Sequence, residues 1–200
     1  MKYTQVKNEI ILASKSKIRK EILEKNNIKC EVITPNLDEE PIKASLIKEG
    51  ASPELISKNL AEIKATKVSC LNQNSIVIGA DSVIDLENNI ISKPKNREEA
   101  LDILKKLNGK EHYLISSVTI AKNGTMIWNY TDKAKLTMKK FSLEELKAYL
   151  LKITDKSLYS YNVYQIEGEG RSLFSNIEGD ENTIMGLPVK KIEEYLKNIL

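Results

Sequence analysis

Three stretches of the chain carry side chains suited to phosphate and metal chemistry. The first is Ser14-Lys15-Ser16-Lys17-Ile18-Arg19. An apolar strand ends there and a helix begins, so free backbone N–H groups and a positive helix end coincide with two hydroxyls, a setting that favours phosphate. Arg19, in the first helical turn, could reach the same anion bidentately. The plainer reading is that the serines cap the helix and the basic residues are solvated. The second is Gly79-Ala80-Asp81-Ser82, an acid just past an apolar strand, where open α/β sheets place their sites. Asp81 could hold Mg²⁺ or take a proton from water, or it could simply make a turn. The third is Leu37-Asp38-Glu39-Glu40, hard oxygen ligands that could complete a Mg²⁺ site with Asp81, or an exposed acidic loop. Ser92-Lys93-Pro94 adds a lysine held by a proline. Lys64 lies mid-helix, opposite part of the apolar stripe, where solvation is the simple expectation. His112 is expected to be partly buried at a strand start.

Other chemistries are absent. The chain has no GxxxxGK[ST] run, and Gly168-Glu169-Gly170 lacks the third glycine of a dinucleotide fingerprint. His112 is the single histidine and no GxSxG elbow exists, which argues against a Ser-His-Asp triad. Zinc-ligand spacings are missing. Carboxylates, lysines, a few arginines and hydroxyls remain, and they suit Mg²⁺ with phosphates better than acyl transfer.

These groups need elements to position them. Ile10 to Ala13 reads as a buried strand, followed by a helix with Ile18, Ile22 and Leu23 on one face, to about Asn27. Cys30 to Thr34 reads as a strand, and Leu37 to Pro41 as a loop. Ser52-Pro53-Glu54 starts a helix running to about Leu71. Ser75 to Asp81 is a β-branched strand entering a small-residue turn. Val83 to Leu86 and Ile90-Ile91 flank a hairpin turn. Asn96 to Glu99 resembles a capping box ahead of the Leu101, Leu104, Leu107 stripe, which Asn108-Gly109 ends. Tyr113 to Ala121 and Thr125 to Tyr130 form a hairpin across Asn123-Gly124. Lys133 to Met138 adds a strand. Ser142 to Glu145 opens a helix to about Leu151, Ile166 to Gly170 is a loop, Ser172 to Ile177 a strand, and Val189 onward a helix. This alternation argues an α/β class with a mixed sheet.

The chain has 200 residues, 41% hydrophobic and 30% charged, with 8 Gly and 5 Pro. That composition excludes collagen-like, low-complexity and wholly disordered chains, and 1–200 reads as one domain. No stretch approaches ~18 apolar residues, and the apolar run near the N-terminus is too short for a signal peptide. Cys30 and Cys70 form no CxxC. A reduced, cytoplasmic protein is expected, with no membrane partner. The net charge of +3 is too small and too interleaved with acids for stable nucleic-acid binding.

In order and spacing these motifs resemble the Maf family of nucleoside triphosphate pyrophosphatases over nearly the whole length. Its LAS-x-S-P-R-R-x-E-L-L-like run corresponds to Leu12 through Leu23. P-x-x-D-E is Pro35 to Glu39, and L-A-x-x-K-A is Leu60 to Ala65. I-G-A-D-T is Ile78 to Ser82, G-K-P is Ser92 to Pro94, and E-G-x-x-N-x-x-G-L-P is Glu178 to Pro188. The departures are Lys17 and Ile18 for the proline and first arginine, Ser82 for threonine, Ser92 for glycine, and Glu167 for a glutamine. A family lysine expected near Ser160-Tyr161 has no counterpart. Glu167-Gly168, the non-arginine Ile18 and the Asn182-Thr183 run resemble the 7-methyl-GTP pyrophosphatase branch. The resemblance implies a mixed central β-sheet flanked by helices, in two lobes with a cleft between them, as in Maf and ITPase-like folds. It implies cleavage of a nucleoside triphosphate to monophosphate and pyrophosphate, a divalent metal cation (Mg or Mn) as cofactor, and a possible homodimer. Asp81 would be catalytic and a metal ligand with Glu39. Ser14, Ser16, Arg19, Lys64 and Lys93 would bind the phosphates, and Glu167 the base. The other readings are a nucleotide-binding regulator of cell division with little catalysis, and a nucleic-acid module using Lys15 to Lys20 and Lys133 to Lys140.

Overall fold

The computed structural model of the chain describes residues 9–200, except for the side chains of 159–161. The signal-peptide reading falls partly outside these residues, as does the side-chain comparison at Ser160-Tyr161. Seven strands form one mixed sheet: β1 (Ile10–Ala13), β2 (Glu31–Val32), β3 (Ile76–Leu86), β4 (Asn89–Ile91), β5 (Glu111–Lys122), β6 (Thr125–Met138) and β7 (Phe174–Glu178). The order is β2-β1-β3-β5-β6-β7. β1 is parallel to β2 and β3, and the remaining pairs are antiparallel. The helices are α1 (Lys17–Lys25), α2 (Glu39–Lys48), α3 (Pro53–Leu71), α4 (Arg97–Leu107), α5 (Leu143–Lys152), α6 (Asp155–Tyr161), α7 (Glu181–Ile184) and α8 (Val189–Ile199).

The mixed sheet with flanking helices agrees with the expected class, and several details differ. Asp81 does not make a turn: β3 runs unbroken through Gly79-Ala80-Asp81, because β5 pairs with it from Val77 to Asp85. The acidic segment at Glu39 is not a loop but the first turn of α2. Glu39 and Glu40 sit at the positive helix end, and Pro41 lies where no intrahelical N–H is needed. β6 is likewise one strand of 14 residues, and β2 is shorter than expected. Asn96 caps α4 through the Glu99 N–H, but the Glu99 carboxylate takes the Lys95 N–H, so the capping box is only half formed. The box at Ser142 is complete. The Asn123-Gly124 hairpin forms with both residues at positive φ.

Two features of β3 create the site. First, β5 covers one side of it, while the other side is shared: β1 pairs with Ile76 to Gly79 and β4 with Ile84 to Leu86. Residues 80–83 between them face a break in the sheet. Second, the strand joins two apolar cores. Ile76, Ile78 and Ala80 pack with Ile22, Leu23, Ile192 and Leu196 of α1 and α8. Ile84 and Leu86 pack with Leu104, Leu107, Leu146 and Leu150 of α4 and α5. Asp81 and Ser82 lie where neither core reaches.

Candidate active site

Strand alternation sends neighbouring residues of β3 to opposite faces. Val77 packs with Val68 of α3, so Gly79 and Asp81 also face α3. Along α3, Ser57, Ala61, Ala65 and Ser69 form a row of small, fully buried side chains at a spacing of four. Gly79 completes that approach: a Cβ there would lie 2.4 Å from the Ala61 carbonyl and 2.6 Å from the Ala65 nitrogen. The contact brings the next row of α3, which contains Lys64, onto Asp81.

Lys64 is not solvated. It is only 5% exposed, and Ile56, Leu60, Lys64 and Val68 share one buried row. Its ammonium donates to Asp81 Oδ1 at 2.7 Å and lies 2.7 Å from Glu39 Oε2. Asp81 is buried, while the Glu39 side chain is 41% exposed. Ser57 Oγ donates to the Asp81 carbonyl at 3.1 Å.

Ser82 points to the other face, toward α1. Arg19 Nη2 donates to Ser82 Oγ at 3.0 Å, and Nη1 to the Ala80 carbonyl at 2.8 Å, filling the break beside β3. Nη1 also donates to Ser14 Oγ at 3.3 Å, and Nε to the Gly186 carbonyl at 2.9 Å. All three guanidinium nitrogens therefore serve the fold, which conflicts with the expected bidentate grip on an anion. Burial lowers the Arg19 pKa, while Asp81 and Glu39 pull it back up. Ser16 caps α1, its Oγ accepting the Arg19 N–H at 3.4 Å, which matches the plainer reading of that serine. Ser14 Oγ accepts from the Ser16 N–H at 3.2 Å as well as from Arg19.

Lys93, on the exposed segment after β4, completes the cluster. Desolvation lowers its pKa below the ordinary lysine value, with Arg19 and Lys64 acting the same way and Asp81 and Glu39 opposing. Glu167 lies apart on the exposed loop after α6, its Oε1 accepting from Gln165 Nε2 at 3.3 Å. Nothing draws it into the cation–carboxylate cluster. His112 is not partly but fully buried, its Nε2 2.9 Å from the Tyr164 hydroxyl.

Sequence reasoning missed Ser82 and Gly186 as partners of Arg19, and Ser116 and Thr183 as the residues behind Ser82. Ser116 Oγ lies 2.8 Å from Ser82 Oγ and donates to the Thr183 carbonyl at 2.7 Å. Hydroxyls within apolar strand sequences, Ser82 in β3 and Ser116 opposite it in β5, were the available signal.

Two carboxylates converging on one ammonium, with two further cations beside them, form a site suited to a polyanion with a hard cation. A mixed sheet broken beside one long strand, bearing that cluster at the break, defines an α/β protein of the phosphate-handling kind. A family model described as Maf-like protein matches residues 9–199, and the chain belongs to that family. It is 68% identical to a nucleoside triphosphate pyrophosphatase of Pelagibacter ubique (strain HTCC1062), over 96% of this chain and 98% of that one. It is 37% identical to a 7-methyl-GTP pyrophosphatase of Brucella abortus biovar 1 (strain 9-941), over 90% of this chain and 91% of that one. Among solved structures, a HAM1 protein from Coxiella burnetii aligns with a TM-score of 0.44 at 14% identity, covering 66% of this chain and 73% of that one.

Proposed function

We propose that the protein is a nucleoside triphosphate pyrophosphatase that hydrolyses its substrate to a nucleoside monophosphate and pyrophosphate. The observation that carries this reading is the Lys64 ammonium held between Asp81 and Glu39, with Arg19 and Lys93 beside it. The Pelagibacter ubique relative supports it.

In this reading Asp81 accepts a proton from the attacking water. Lys64 holds that carboxylate in position and, with Lys93, offsets the negative charge that grows on the phosphate oxygens. Arg19 adds fixed positive charge. Ser14 Oγ already accepts two N–H groups, so what it offers a phosphate is its own proton. Ser16 is committed to its cap and contributes through the helix end it starts.

A divalent cation fits this donor set. Mg²⁺ is commonly held by one or two carboxylates, with water and substrate phosphate supplying the remaining oxygens. Asp81 and Glu39 are such a pair, converging on one cation already. No group of three or more His, Cys, Asp or Glu able to hold a metal occurs among the described residues, so an all-protein cage is not available. When bound, the ion would supply Lewis-acid polarisation of the phosphoryl group and further charge neutralisation.

For the base, we propose Glu167 as the recognition residue. A carboxylate only accepts hydrogen bonds, so it suits a base edge rich in N–H donors, as in guanine. The positive charge of 7-methylguanine would add attraction. This favours the 7-methyl-GTP branch, to which Brucella abortus supplies a relative by name. A relative named only for nucleoside triphosphates is more similar, so the base is settled by assay.

The test is pyrophosphate release from a panel of nucleoside triphosphates including 7-methyl-GTP, with Mg²⁺ or Mn²⁺ and with EDTA. Metal-dependent release that falls by about 100-fold or more in Asp81→Asn supports the mechanism. No release from folded protein overturns it. Glu167→Gln is expected to reorder the panel, and an unchanged ranking removes Glu167 from base recognition.

A further inference from the structure

Ser116 belongs to none of the motifs above, yet it is fully buried beside the Arg19 cluster. Its bonds have only one consistent direction. The Thr183 carbonyl can only accept, so Ser116 gives it its single proton, at 2.7 Å. Across the 2.8 Å contact with Ser82, Ser116 must therefore accept and Ser82 donate. Ser82 is then left with lone pairs alone to present to Arg19 Nη2, at 3.0 Å. From Arg19 through two hydroxyls to Thr183, every hydrogen bond runs one way.

The far end of this chain is anchored. The Thr183 hydroxyl donates to Asp132 Oδ2 at 2.6 Å, tying α7 to β6. Three residues on, the Gly186 carbonyl accepts from Arg19 Nε. Gly186 has φ of +100°, and a Cβ there would lie 3.1 Å from Ser82 Oγ and 3.3 Å from Arg19 Nε. The bend after α7 thus grips the guanidinium twice, once directly and once through Ser82 and Ser116.

We propose that Ser116 is a positioning residue for Arg19. By dictating which way the Ser82 proton points, it sets the plane of the guanidinium against Ser14 and Ala80. Without the Ser116 hydroxyl, Ser82 can turn its proton to the Gly186 carbonyl, 3.5 Å away, and present a different lone pair to Arg19. The catalytic side of this proposal rests on the pyrophosphatase reading; the hydrogen-bond side does not.

The test is a double-mutant cycle of Ser116→Ala with Arg19→Lys, read as kcat and KM for the triphosphate that the wild type turns over fastest. It is paired with NMR of the Arg19 Nε–H in ¹⁵N-labelled protein, assigned by its loss in Arg19→Lys. Ser116→Ala is expected to lower kcat/KM about 10-fold when Arg19 is intact. In the Arg19→Lys background, where no guanidinium remains to orient, the loss should be less than about twofold. Exchange of the Nε–H with water should quicken. Ser82→Ala should behave as Ser116→Ala does, and Ser82→Thr, which keeps the hydroxyl, should restore activity and slow exchange. Equal losses in both backgrounds with unchanged exchange overturn the proposal and leave Ser116 a packing residue. If the wild type releases no pyrophosphate, the functional reading falls, and the exchange rates alone decide the role of Ser116.

Discussion

Lys64 and Asp81 stand 17 residues apart in the chain, on α3 and β3, and their charged atoms meet at 2.7 Å inside the fold. This buried pair is the hinge between stability and function. Removing one partner strands a charge, while removing both does not. Lys64→Met is expected to destabilise the protein by about 3 kcal/mol. Lys64→Met with Asp81→Asn should recover most of that stability and none of the activity. Urea unfolding and pyrophosphate release on the same three proteins check this. A double variant as unstable as the single would show that the pair is not what holds this region.

Gly79 is the residue that lets α3 approach β3. Gly79→Ala places a methyl against the Ala61 carbonyl and the Ala65 nitrogen, both backbone atoms that cannot turn aside. Helix and strand must separate, at roughly 3 kcal/mol, and Lys64 moves away from Asp81 as they do. A lowered urea midpoint together with a fall in kcat is expected. Unchanged kcat in the folded fraction would show that the site tolerates the displacement.

Lys93 has its pKa lowered by desolvation and by the cations Arg19 and Lys64. It therefore loses its charge, as pH rises, before an ordinary lysine would. The alkaline limb of kcat/KM should fall below the usual lysine range, because a polyanion then meets one cation fewer. In Lys93→Arg, which stays charged, that limb should move to higher pH. A limb that does not move assigns it to another group.

His112 tests the fold rather than the site. Burial lowers its pKa from 6.5 to about 4, so the folded state holds it neutral where the unfolded chain takes up a proton. Its contribution is fully present above the unfolded value and is lost as pH falls from about 6.5 toward 4, by roughly 3 kcal/mol. Unfolding midpoints measured across that range should slope less in His112→Gln, which keeps a polar partner for Tyr164 but does not titrate. Equal slopes would place the acid sensitivity elsewhere.

Much of the fold was legible because local chemistry declares it. Ser52-Pro53, Ser142 to Glu145 and Asn123-Gly124 each satisfy backbone groups within a few residues, and each formed as expected. The errors came where a neighbour overruled the local signal. Gly79-Ala80-Asp81 looks like a turn in isolation, but β5 pairs straight through it. Glu39 to Pro41 looks like an acidic loop, yet the same residues make a sound first helical turn. A lone mid-helix lysine reads as solvated, yet Lys64 falls on the Ile56, Leu60, Val68 row, and that row is buried.

Residue types and short spacings were enough to establish the inventory and the local frame. They specified which carboxylates, cations and hydroxyls were present, that Ser14 and Ser16 lay between a strand end and a helix start, and that the order of the motifs resembled one family. No folding was needed to read such properties, because each belongs to a few neighbouring residues. How the groups pair came only with the folded chain. Folding put Lys64 between Asp81 and Glu39, turned Arg19 inward, and gave it Ser82 and Gly186 as partners. Such pairings arise because β1 and β4 leave a break beside β3, and because alternation sends Asp81 and Ser82 to opposite faces at that break. Distances across it depend on how closely α3 and the bend after α7 pack, which only burial of the whole core establishes.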